Sequence, residues 1–125
     1  MEPLRRAVFV IEPDLNLADA LHDVLLSWGF QVATFATHGA AAVSAMLVDR
    51  VDLLVACIPT SDGDRNGAYL ESIARRQAGG LPVVLMVTDP EIVEKSAPDR
   101  SVRLLKPFTC DELRGAMYKV GISFV

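Results

Sequence analysis

Five short apolar runs punctuate the chain, AVFVI (7–11), QVATFA (31–36), DLLVACI (52–58), PVVLMVT (82–88) and VRLL (102–105), and segments of helical period separate them. Strands that read as near-continuous apolar runs are covered on both faces, the condition of a parallel sheet with helices on either side. Pro82 stands first in its run, where a missing backbone donor does least harm. The alternation therefore predicts a (βα)5 chain, an α/β doubly wound three-layer sandwich whose functional loops gather at the carboxyl ends of the strands.

Between the runs, Leu17, Leu21, Val24 and Leu25 recur at helical spacing, and Gly29 ends that helix. The alanine-rich GAAAVSAMLVDR is read as a second helix with Ala42 and Met46 inward and Val43 and Leu47 as further inward candidates. AYLESIARR (68–76) gives a third, with Leu70, Ile73 and Ala74 inward, closed by Gly79 and Gly80. Residues 89–101 carry at most a short helix over 90–96. Thr109 and Glu112 form the T-x-x-E capping pattern, which opens a last helix through Leu113, Ala116, Met117 and Val120.

With 125 residues, 51% of them apolar and 22% charged, the chain is one domain (1–125) able to bury a core without disulfides or a metal. Its net charge of −4 supplies no field for gripping a phosphate backbone, and the basic pairs Arg5–Arg6 and Arg75–Arg76 are isolated in sequence, so direct nucleic-acid binding is not expected. The first apolar run soon meets Glu12, Pro13 and Asp14, too early for a secretory signal, and no run is long enough to insert in a membrane. Two cysteines, Cys57 and Cys110, make no disulfide framework and fit a reducing cytoplasm.

At the strand ends stand Glu12-Pro13-Asp14 after the first run, Cys57 in the third, Thr88-Asp89 after the fourth and Lys106-Pro107-Phe108 after the fifth. This set, in this order and across essentially the whole chain, resembles the CheY-like receiver domain of two-component response regulators. The resemblance implies a flavodoxin-like strand order 2-1-3-4-5. In that family an acidic pair after strand 1 and an Asp closing strand 3 hold Mg²⁺, that Asp accepts the phosphoryl group, and a Thr or Ser and a Lys contact it. Metal, hydroxyl and ammonium together stabilise charge on a transferring phosphoryl group.

The match is partial. Glu12 takes the first acidic place and Pro13 the second, Cys57 stands where the acceptor should be, and Thr88 and Lys106 keep the pattern, including a Lys-Pro bond that is usually cis in the family. The aromatic often found on strand 5 falls at Arg103, and positions 89 to 105 leave only 17 residues between Thr88 and Lys106, so the fourth helix is expected to be trimmed. A thiol is no hard oxygen ligand and Pro13 offers no acceptor, so Mg²⁺ binding should be weak or absent, with Glu12 and Asp14 as vestiges of the site. No other cofactor is expected, and the domain is not read as an enzyme.

Alternatives remain open from the residues alone. Asp62 or Asp64 could accept phosphate, although both sit in a Gly-rich turn where Asp is common because its side chain bonds local backbone. Cys57 could be a small buried hydrophobe, or a redox switch if Lys106 lowers its pKa. A phosphatase-type nucleophile fails, since Arg65 lies eight residues on with two acids before it. A flavin-binding protein is opposed by the acidic EPDLN loop, where phosphate wants exposed backbone donors. Lys106 could instead serve structure by pairing with Glu12 or Asp14, His22 and His38 are read as surface or edge histidines, and Trp28 as packing the first helix end.

If the chemistry is lost, the surface carries the function. The resemblance points to a face of strands 4 and 5 and the last helix, with Arg103, Pro107, Phe108, Glu112 and Leu113 and the segment PEIVEKSAP, for a partner or a homodimer. It also points to the start of the first helix, with Leu15, Leu17 and Ala18, as a docking face. The partners it implies are a histidine kinase, a phosphotransfer protein or an output domain, with phosphorylation-independent interaction as the mode of action.

Overall fold

The structure, a computed structural model, describes residues 5–48, 50–58, 68–69, 72–73, 80–89 and 100–123. Five strands, β1 (Ala7–Ile11), β2 (Gln31–Phe35), β3 (Leu53–Ile58), β4 (Val83–Val87) and β5 (Ser101–Leu105), form one parallel sheet in the order β2-β1-β3-β4-β5. Helices α1 (Leu15–Ser27), α2 (His38–Ala45) and α3 (Cys110–Lys119) are described, together with helical backbone at 68–69 and 72–73. The expected sandwich and strand order are therefore observed.

The period of two along each central strand makes two cores. Val8, Val10, Leu53, Val55, Cys57, Val84 and Met86 face one layer, where they meet Leu21 and Leu25 of α1 and Leu113, Ala116 and Met117 of α3. Their neighbours Phe9, Ile11, Leu54, Ala56, Ile58, Val83, Leu85 and Val87 face the other, against Ala41, Ala42 and Ala45 of α2 and Ile73. Every residue of β3 and β4 is buried, whereas the edge strands β2 and β5 are partly exposed. Burial on both faces explains the unbroken apolar text of the central strands.

Local sequence sets the helix ends. Asp14 caps α1 by accepting from the Asn16 and Leu17 amides, and Gly29 follows at φ 93°, a left-handed conformation that favours glycine. Thr37 caps α2, and Thr109 with Glu112 closes the expected capping box on α3. Phe108, just before that cap, packs against the core cluster that holds Leu113.

Helix α2 departs from expectation. It ends at Ala45, and Val43, Met46 and Leu47 are exposed, Leu47 at 82%. The helix lays its alanines on the sheet instead, because small side chains allow close approach, and a Cβ at Gly39 would lie 3.3 Å from the Tyr69 ring. Leu70, Ala74, Gly79 and the residues 90–99 lie outside the described residues.

Substituting Leu54, fully buried in the middle of the sheet, by Ala should cost about 2–5 kcal/mol. Leu47→Ala, in the exposed turn that follows α2, should change stability by less than about 0.5 kcal/mol. Urea denaturation of the two variants checks both, and a large loss for Leu47→Ala would contradict the exposure of the turn after α2.

Candidate functional site

At the carboxyl edge of the sheet, β1 ends in Glu12, whose backbone amide extends the ladder by donating to the Phe35 carbonyl. Glu12 is 2% exposed, and both of its side-chain oxygens are engaged. Oε2 accepts from the Asp14 amide at 3.1 Å, and Oε1 accepts from the Lys106 ammonium in a short contact. Lys106 follows β5, where its backbone amide donates to the Val87 carbonyl at 2.7 Å and its peptide bond to Pro107 is cis, as the resemblance implies. From there its ammonium reaches past β4 and β3 to β1, and its Nζ donates to Cys57 Sγ at 3.4 Å on the way.

The three groups thus form one closed cluster. Burial pushes the Cys57 thiol above its ordinary 9.0, the Glu12 charge adds to the rise, and Lys106 opposes it. For Lys106, burial alone would lower the pKa, but the hydrogen bond to Glu12 and the charges of Cys57 and Glu12 raise it above its ordinary 10.5. The lowering that the redox-switch alternative requires is therefore not found, because burial disfavours thiolate and, together with the Glu12 charge, outweighs the opposing effect of Lys106. A protonated thiol on a residue only 7% exposed is a poor nucleophile, which opposes the redox-switch alternative.

Several sequence-level placements change here. Asp14 is exposed and its carboxylate caps α1, and Pro13 is exposed as well, so neither turns a side-chain oxygen to Cys57 and Lys106. His38 is fully buried, not at the surface, and its Nε2 donates to the Cys57 carbonyl at 2.9 Å. It pins the strand end from the α2 side, a role with no spacing motif; the small residues that follow it, which let α2 approach the sheet, are its only trace in sequence. His22 is partly exposed beside Asp23. Trp28 packs at the end of α1 as expected, with the Arg114 guanidinium over its ring at 4.7 Å.

Thr88 is exposed and lines, with Leu17, Lys106, Pro107 and Phe108, a hollow of about 380 Å³ beside the cluster. Asp89 and Arg103 are exposed, and Asp62 and Asp64 lie outside the described residues. Leu113 does not belong to a docking face: it is 1% exposed and sits in the core. Glu112 is exposed but occupied in the α3 capping box. On α1, Leu15 is exposed whereas Ala18 is buried and unavailable to a partner.

Among the described residues, no three His, Cys, Asp or Glu side chains gather where they could share a cation. The donor set also does not suit Mg²⁺: it offers a protonated sulfur, a proline and a carboxylate already held by an ammonium and an amide. Among the described residues no helix is long and apolar enough to cross a membrane.

Both Cys57 and Lys106 hold their protons more tightly folded than unfolded, so their contributions to stability are intact below the ordinary thiol value of 9.0 and fade as pH rises beyond it. Denaturation midpoints measured between neutral pH and pH ~11 should fall on the alkaline side. Cys57→Ala should remove the earlier part of that fall and leave the later part. A variant profile identical to the parent would contradict the coupled cluster.

No protein-family model and no curated protein matches the sequence. Solved structures match along nearly the whole chain. A response regulator receiver domain protein from Bacillus halodurans superposes with a TM-score of 0.74 at 22% identity, covering 96% of this chain and 100% of that one. Chemotaxis protein CheY4 of Vibrio cholerae gives 0.77 at 15% identity, covering 94% and 99%. The N-terminal domain of a response regulator/sensory box/GGDEF 3-domain protein from Carboxydothermus hydrogenoformans gives 0.77 at 20% identity, covering 92% and 93%. The chain has the fold of the response-regulator receiver domains.

Proposed function

We propose that this chain is an atypical receiver, a non-enzymatic module of two-component or phosphorelay signalling that acts through phosphorylation-independent protein–protein interaction. The observation that carries the proposal is the Lys106 ammonium bound to buried Glu12 and in contact with the Cys57 thiol. In an ordinary receiver that ammonium meets the phosphoryl group and a carboxylate stands at position 57. Here the cation is already neutralised, the acceptor is a protonated sulfur, and the second acidic place is a proline. Mg²⁺ binding is accordingly weak or absent, and no other cofactor is called for.

Action then falls to the surface. Leu105 and Tyr118 are large exposed apolar side chains on β5 and α3, beside exposed Arg103 and Pro107 and half-buried Phe108. This face suits a histidine kinase, a phosphotransfer protein, an output domain or a second copy of the chain, in a cytoplasmic setting. A tyrosine such as Tyr118 is a common anchor once it is desolvated, whereas rim-exposed charges contribute little.

Intact mass after incubation with Mg²⁺ and a small-molecule phosphodonor tests the proposal, with a conventional receiver alongside. The parent should gain no phosphoryl mass, and Cys57→Asp alone should gain little, because Pro13 leaves a metal short of a ligand. Rapid Mg²⁺-dependent labelling of the parent or of that single variant would overturn it.

A further inference from the structure

At the opposite end of the sheet, where the strands begin, basic residues that are scattered in the sequence come together. Arg50 donates from Nε to Asp52 at 3.0 Å and from Nη2 to the Arg5 carbonyl at 3.4 Å. Arg6 lies over the Phe30 ring, 4.9 Å from its centroid, and donates to the Ser123 carbonyl. Arg100, just before β5, donates to the Val120 carbonyl at 2.8 Å and to the Gly80 carbonyl at 3.4 Å. Its guanidinium lies so close to the chain that a Cβ at Gly121 would come within 2.7 Å of Nη2, and Gly121 sits at φ 92°.

Two hollows adjoin along this edge. One, of about 270 Å³, is lined by Arg6, Asp52 and Arg100, and the next, of about 340 Å³, by Arg100, Ser101 and Lys119. Among the described residues the carboxylate lining them is that of Asp52, which Arg50 and the Ala7 amide already hold. Arg6 and Arg100 are fixed by backbone carbonyls and a ring, yet a guanidinium has five N–H donors and the bonds named use two at most. Two pre-positioned guanidiniums and the Lys119 ammonium therefore line one edge of a chain whose net charge is −4.

We propose that this amino-terminal edge of the sheet is a docking surface for a short acidic segment of a partner polypeptide, with successive carboxylates seated against Arg6, Arg100 and Lys119. A row of cations across two hollows matches an extended string of charges better than one compact anion. The overall negative charge of the domain repels a long polyanion beyond the patch, which favours a short acidic peptide over nucleic acid. The inference is independent of the Cys57 cluster and goes beyond the silent-receiver proposal by naming a second surface and the chemistry of its partner.

The test is a titration with a labelled peptide of alternating Glu and Ser, compared with one of alternating Lys and Ser and with a single-stranded oligonucleotide of equal charge to the acidic peptide. The acidic peptide should bind at low ionic strength, weaken steeply as salt shortens the screening length toward about 8 Å, and shift the backbone amide signals of Ser101, Gly121 and Ile122. Arg100→Gln with Lys119→Glu should weaken it by at least about tenfold while far-ultraviolet circular dichroism stays native. If that double variant does not fold, Lys119→Glu alone, at an exposed helix end, is read in the same way. Absence of binding at low salt, unchanged binding by the folded variant, shifts that map elsewhere, or tighter binding of the oligonucleotide would each overturn the proposal.

Discussion

A carboxylate buried as deeply as that of Glu12 needs a counter-charge, and Lys106 supplies it from the far edge of the sheet. The pair ties the turn after β1 to the end of β5, two strands that are not neighbours. Removing one member of such a pair leaves a charge in a poorly solvated place, which is far more damaging than loss of an exposed ion pair. Cys57 sits beneath this bridge, and His38 holds its carbonyl from the opposite layer. The end of β3 is therefore gripped on both sides of the sheet, at the carboxyl edge where an α/β sandwich gathers its functional loops.

Under the proposed receiver reading, that arrangement gives Cys57 and Pro13 a physical logic. A carboxylate at position 57 would compete with Glu12 for the same ammonium, whereas a thiol accepts a weak hydrogen bond from it and tolerates burial as a neutral group. Proline at position 13 removes one acceptor from the mouth of the site, and Asp14 is spent on the helix cap. What is left is a cluster whose charges cancel within itself. Such a cluster contributes to the fold, and under the proposed function it is silent toward a phosphoryl group and a divalent cation.

The strands were legible because burial on both faces writes an unbroken apolar text, as in LLVACI and VVLMV, and the α3 start was legible because Thr109 and Glu112 satisfy each other's backbone groups locally. Helix α2 was misread, since Met46 and Leu47 look like core in a sequence while the alanines that bury do so only because the helix sits close to the sheet. His38 was missed for the same reason: its partner is a backbone carbonyl 19 residues away, and backbone carries no signature. The direction of the Cys57 shift was also beyond the sequence, because it depends first on how deeply the thiol is buried and then on the Glu12 charge beside it. Arg6, Arg50, Arg100 and Lys119 gave no hint of proximity until the parallel topology brought the strand beginnings to one edge.

Whether the Lys106–Glu12–Cys57 cluster can open to admit a phosphoryl-like anion with its metal decides whether the site is silent. The most direct measurement is the set of backbone amide chemical shifts of the parent protein as Mg²⁺ and then beryllium fluoride, a phosphoryl mimic, are added. The closed cluster predicts that signals of Glu12, Cys57, Thr88 and Lys106 stay in place through the titration. Saturable shifts at those four positions would mean that the site still assembles around metal and anion, and would contradict the claim that it is silent.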